Sequence, residues 1–110
     1  MAKKSILKNK PGNLIKKYYR VLTDKGYCVE KIILFGSYAR GKQKYWSDLD
    51  LCVVSKEFGQ NDFDETVALK KATTEVDSMI EPHPYSPQGL RDKWDPLAVE
   101  INKHGINWQI

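Results

Sequence analysis

Cysteine is scarce, with only Cys28 and Cys52 in 110 residues, and neither sits in a CxxC spacing or beside a pair of histidines. That argues against a disulfide framework and against a zinc site, both of which need closely spaced ligands. Both residues fall in segments that read as strands, so two buried free thiols are expected. No apolar run approaches the roughly 20 residues of a membrane span, and the N-terminus lacks the apolar core of a signal peptide. A cytoplasmic protein with no membrane association is the resulting expectation. Repeats, low-complexity tracts and mid-chain linkers are also missing, and 110 residues give room for one domain only. Elaborate specificity must then come from a partner, a second copy of the chain or a simple substrate. Acid is absent from the first twenty residues, which carry Lys3, Lys4, Lys8, Lys10, Lys16, Lys17 and Arg20. The other ninety hold eleven bases against fourteen acids, so a net charge of +4 divides into a basic leader and a body of −3. Such a division suits nucleic acid, a nucleotide or an acidic partner; a solvated, lysine-rich helix face is the plainer reading.

What is present alternates between helical and strand patterns. Residues 1–12 read as a basic, irregular leader that ends in the turn pair Pro11-Gly12, and residues 13–110 as a single domain. Asn13 is placed to cap a helix, LIKKYYRVLTDK, whose Leu14, Tyr18, Val21 and Leu22 recur at helical spacing until Gly26 stops it. YCVEKIILF reads as a strand rich in branched and aromatic residues. YARG is short enough for one helical turn, and residues 42–47 form a polar loop. DLDLCVVS reads as a second strand, and DFDETVALKKATTEVD as a helix with acids in its first turn, where the dipole favours them. SMIEPHPYS is a third strand whose Pro82 and Pro84 lack backbone donors, which places it at a sheet edge with those positions facing outward. DPLAVEINKHG is a last helix between Pro96 and Gly105, and the tail INWQI adds a short strand or packs. The fold class is α/β (α+β): a small mixed sheet flanked by helices.

The chemistry concentrates in FGSYARGKQKYWSDLDL, residues 35–51. A strand that ends in glycine and turns toward a helix leaves backbone N–H groups unpaired. With the Ser37 hydroxyl these make a cradle for phosphate, and Gly36 lets the phosphate approach because no Cβ intervenes. Arg40 and Lys42 could neutralise further phosphate charge. An ordinary capped turn gives the same pattern, so the turn alone decides little. Asp48 and Asp50 decide more. Positions i and i+2 of a strand share a face about 6–7 Å apart, and two carboxylates there repel each other and lose hydration. A divalent cation removes that cost. Mg²⁺ prefers oxygen ligands and is completed by substrate phosphates, and such a pair could hold one or two ions. Tyr45 and Trp46 could stack on a base or anchor the loop on the sheet. Lys44 and Arg91 are candidate phosphate contacts with no spacing behind them. His83 shares a face with Glu81 and reads more simply as a surface histidine.

Gly36-Ser37, ten residues, then Asp48-x-Asp50 resembles the signature of the DNA polymerase β-like nucleotidyltransferase superfamily, and GSYARGKQKYWSDLDL is similar to its minimal (MNT) branch. IEPHPYS and DPLAVEINKHGI also resemble segments of small stand-alone members. The resemblance implies the polymerase β-like fold, a nucleoside triphosphate, with ATP expected, on Gly36, Ser37 and Arg40, and two Mg²⁺ ions on Asp48 and Asp50. It further implies a third carboxylate that serves as base and metal ligand. Glu81 fills that place, one methylene longer than the usual aspartate, and Asp77 reads instead as the end of the preceding helix. The implied activity is transfer of AMP to a hydroxyl on a HEPN-type partner protein, in an antitoxin role. Two alternatives stay open. One is a module that neutralises the partner by masking it without chemistry; the other is transfer to a small molecule or an RNA end, which makes nucleic acid the less favoured partner.

Overall fold

The computed structural model describes residues 6–108. Its elements are α1 (Pro11–Asp24), β1 (Lys31–Phe35), β2 (Leu49–Val54), α2 (Asp62–Ala72), continued by a 3₁₀ turn at Thr73–Glu75, β3 (Ile80–Tyr85), α3 (Pro87–Leu90), α4 (Pro96–His104) and β4 (Ile106–Trp108). The four strands form one mixed sheet in the order β3-β2-β1-β4. β1 runs antiparallel to both β2 and β4, and β2 runs parallel to β3. A parallel pair needs a crossover, and α2 supplies it.

Side-chain alternation divides the core between the two faces of the sheet. Ile32, Leu34, Leu49, Leu51, Val53 and Ile80 pack beneath Leu14, Ile15, Tyr18 and Leu22 of α1 and Leu69 and Ala72 of α2. Ile33, Phe35, Cys52 and Val54 face Leu90 of α3 and Ala98 and Ile101 of α4. Each fully buried aliphatic side chain here contributes about 1.5–3 kcal/mol. Tyr18 is fully buried as well, and its hydroxyl donates to Leu69 O at 2.8 Å, which ties α1 to α2. Burial pushes that phenol far above its ordinary range. Among the described residues no helix is long and apolar enough to cross a membrane.

Several sequence expectations take their final form here. The edge position of β3 holds. Tyr85 O accepts from Ser55 N of β2's end and Met79 O from Leu49 N, so the odd-numbered residues bond toward β2 and the donor-less positions of Pro82 and Pro84 face away from it. The tail adds β4. α1 starts at Pro11, earlier than expected, because proline's fixed φ suits the first helical position. Lys10 is its cap residue, with no side-chain cap bond, and Asn13 donates instead to Asn9 Oδ1 at 3.0 Å. YARG forms no helix. Gly36 and Gly41, both at positive φ, bracket too few residues to repay helix nucleation, and hydrogen-bonded turns result. Cys28 lies exposed ahead of β1 and not in a strand. The ladder on β2 stops at Lys31↔Val54, and beyond it Tyr27 N and Cys28 N donate instead to Leu22 O and Glu57 Oε1. Cys52 is buried as expected, its thiol pushed up to about 12 by burial. Residues 6–8 of the expected leader lie against the body: Leu7 is buried and Lys8 N donates to Asp77 Oδ2 at 2.7 Å. Residues 1–5 of that leader lie outside the described residues.

Candidate active site

β1 ends at Phe35 and the chain reverses at Gly36 with φ +73°. Phe35 pairs with Asp50 across the antiparallel ladder. The reversal therefore folds back onto the Asp50 side chain, so closely that a Cβ built on Gly36 would lie 3.1 Å from Asp50 Cγ and collide with the carboxylate oxygen. The Gly36-Ser37 turn and the acidic pair, twelve residues apart along the chain, thus meet in space. The turn closes through Ala39 N and Arg40 N on Gly36 O (3.1 and 3.2 Å) and Lys42 N on Ser37 O (2.9 Å). Among the described residues the Ser37 hydroxyl and the exposed Arg40 guanidinium have no partner, so both are available to an anion.

Asp48 precedes β2 by one residue and Asp50 is the second residue of it, with fully buried Leu49 turned to the opposite face between them. On the other side of β2, Asp50 is the register partner of Glu81 in β3. Neighbouring strands lie about 4.8 Å apart, so these two carboxylates stand side by side on one face. Asp48 feels both. Its carboxyl is held above the ordinary range, first by desolvation, then by the charges of Glu81 and Asp50, against a lowering from Lys70. Asp48 thus sits in a negative field that Lys70 only partly offsets. An all-oxygen donor set of this kind suits a hard divalent cation, and Asp48 and Asp50 fit one. Glu81 is committed elsewhere, since its Oε1 accepts from Lys70 Nζ at 2.9 Å. Among the described residues no three His, Cys, Asp or Glu side chains stand in a ready metal-holding group.

Two residues enter the site that the motif did not specify. Lys70 comes from α2 and closes the Glu81 side. His83, two residues along β3, sits with Nε2 3.8 Å from Asp50 Oδ1 and its ring edge-on to Phe35 at 5.1 Å. Strand alternation put His83 on the right face; no local pattern marks a helix lysine eleven residues upstream as a partner of Glu81. Beside His83 opens a pocket of about 290 Å³ lined also by Thr66, Tyr85, Ser86, Asp95 and Leu97. Asp95 frames it, capping α4 through Leu97 N and Ala98 N (3.0 and 3.2 Å) and accepting from the Tyr85 hydroxyl at 2.8 Å.

Other candidates sort clearly. Asp77 is buried and structural, accepting from Lys8 N and from Met79 N at 2.9 Å, which leaves Glu81 as the third carboxylate near the pair. Tyr45 and Trp46 form an edge-to-face pair at 5.0 Å and are 42% and 58% exposed. Arg91 lines an adjoining hollow with Lys56, Gln60 and Gln88, which shares Gly59 and Ser86 with the pocket beside His83.

A family model described as a nucleotidyltransferase domain matches residues 15–85, which contain the turn and all three acids. A protein of Methanocaldococcus jannaschii, provisionally named a protein adenylyltransferase, is 46% identical over 50 residues, and the match spans just under half of either chain, 46% of each. A crystal structure of a mutant of the toxin–antitoxin MntA-HpeT aligns with a TM-score of 0.61 at 25% identity, over 86% of this chain and 71% of that one. A provisionally assigned nucleotidyltransferase from Sulfolobus solfataricus shares the fold, with a TM-score of 0.62 at 18% identity over 94% of this chain and 90% of that one.

Proposed function

The chain belongs to the nucleotidyltransferase domain family, and from that premise we propose that it transfers AMP from ATP to a hydroxyl of a HEPN-type partner protein, as the antitoxin of a toxin–antitoxin pair. The observation that carries this reading is the contact between the Gly36 turn and Asp50, which joins an anion cradle to a cation-seeking acid pair. The relative named for protein adenylylation supports AMP and a protein acceptor, and the toxin–antitoxin neighbour supports the pairing.

In the reaction the acceptor oxygen bonds to the α-phosphorus, the bond from that phosphorus to the bridging oxygen breaks, and pyrophosphate departs. Gly36, Ser37 and Arg40 hold the β- and γ-phosphates, so charge building on the leaving group meets donors already in place. Asp48 and Asp50 would hold Mg²⁺, which would supply charge neutralisation at the reacting phosphate. Glu81 faces the attacking hydroxyl and takes its hydrogen bond or proton. The pocket beside His83 gives the side chain that bears the hydroxyl room to enter.

One observation favours a second reading, in which the chain masks its partner without chemistry: Glu81 is held by Lys70. A single assay separates the two. Incubation with α-labelled ATP, Mg²⁺ and the protein encoded next to it should label that protein, and the Asp48→Asn/Asp50→Asn pair should abolish labelling. Full neutralisation of the partner by the double variant, with no label on the partner from either form, would support masking instead.

A further inference from the structure

Lys70 lies outside the motif, yet its ammonium is fixed at the margin of the carboxylates. From α2 it reaches Ser78 O at 2.9 Å, Ile80 O at 2.8 Å and Glu81 Oε1 at 2.9 Å. A lysine ammonium has three N–H donors, so each is matched to one acceptor. Two of those acceptors are backbone carbonyls at the entry to β3, which locate Nζ independently of Glu81. Ile80 O belongs to the even-numbered set that faces away from β2, so the lysine binds a carbonyl that the sheet leaves unpaired. A surface lysine is ordinarily a mobile point charge; this one is a cation built into the fold.

Its place decides how positive charge is shared. Glu81 takes a positive partner from the fold itself, the Lys70 ammonium. Mg²⁺ gives up its water reluctantly and is usually held by one or two carboxylates together with phosphates, which Asp48, Asp50 and the triphosphate already provide. On the nucleotidyltransferase reading, on which this rests, we infer that Lys70 takes the place of a second metal: Asp48 and Asp50 hold a single divalent ion, and Glu81, paired with Lys70, stays outside its coordination shell and faces the acceptor hydroxyl. Lys70 is in this sense a positioning residue for Glu81. The inference replaces the two-ion site, with Glu81 as ligand, that the family resemblance implies.

The test counts Mn²⁺ by electron paramagnetic resonance in the complex with a non-hydrolysable ATP analogue. Wild type should hold one Mn²⁺ per chain. Lys70→Met should free Glu81 and raise the count to two, and the Lys70→Met/Glu81→Gln double variant should return it to one. Lys70→Arg, which keeps the charge, should stay at one. Glu81→Gln alone should likewise hold one Mn²⁺ per chain, because the carboxylate it removes is not a ligand. This last variant keeps both backbone bonds of Lys70 and so tests the idea even if Lys70→Met fails to fold. Two Mn²⁺ ions in wild type, or loss of the bound ion in Glu81→Gln, would overturn the inference and leave the nucleotidyltransferase reading standing. No nucleotide-dependent Mn²⁺ in wild type would overturn both.

Discussion

Gly36 is the residue on which the site turns. Its positive φ lies where an L-residue pays strain, and the space its Cβ would fill belongs to the Asp50 carboxylate. Across that contact the bend proposed to grip phosphate meets an acid whose charge acts on its neighbour Asp48. Asp48 shows the cost, first of lost hydration and then of that repulsion. A carboxyl whose folded pKa is raised binds its proton more tightly in the folded state, so the stability tied to that proton is present at low pH and lost as pH rises through the folded value. Asp48→Asn removes the charge. In EDTA at pH 7 the variant should therefore melt higher than wild type, with the difference shrinking as pH falls below the ordinary carboxyl range. Added Mg²⁺ should raise the wild-type melting temperature and leave that of the variant unmoved. Thermal melts in the two buffers check both. Asp48, Asp50, Gly36 and Ser37 were legible in the sequence because the spacing that defines them is local, and Glu81 came from the third carboxylate that the family resemblance implies. Lys70 was not legible. A lysine on a helix reads as a solvated face, and what recruits it is the three-dimensional crossing of α2 over the start of β3.

At the scale of elements, α2 carries two tasks, the parallel crossover and the delivery of Lys70, and its N-terminus is correspondingly well held. Asn61 caps it by accepting from Asp64 N at 3.0 Å. The Glu65 carboxylate gathers the N–H groups of Gly59, Gln60 and Asn61 at 3.0, 3.1 and 3.3 Å. Burial pushes the Glu65 carboxyl up, but these three donors outweigh it and hold it below the ordinary range. The sign is opposite to that of Asp48: the stabilisation is present above the ordinary carboxyl value and lost as pH falls through the lowered one. Glu65→Ala should cost about 1–2 kcal/mol at pH 7, and less as the pH is lowered into the acid range, by urea unfolding across that range. The edge strand was readable from Pro82 and Pro84, since a missing donor is a property of the residue itself. The extent of β1 was not, because Lys31 begins the strand only where Val54 ends its partner, and pairing length is set far along the chain.

For the whole molecule, extents of 45 × 31 × 24 Å leave little beyond one sheet and its helices. α1 and α2 cover one face of the sheet, and α3 and α4 cover only part of the other. Asp50, Glu81 and His83 lie at the uncovered end of that second face, beside the pocket framed by Asp95. On the proposed reading, the acceptor hydroxyl reaches the acids through that open end. The central claim is that Asp48 and Asp50 hold a divalent ion against a triphosphate gripped by the Gly36-Ser37 turn. Calorimetric titration of ATP into the full chain, with and without Mg²⁺, tests it most directly. Saturable binding that requires Mg²⁺ and disappears in Asp48→Asn is the predicted result; equal binding by wild type and Asp48→Asn, or wild-type binding indifferent to Mg²⁺, would contradict it.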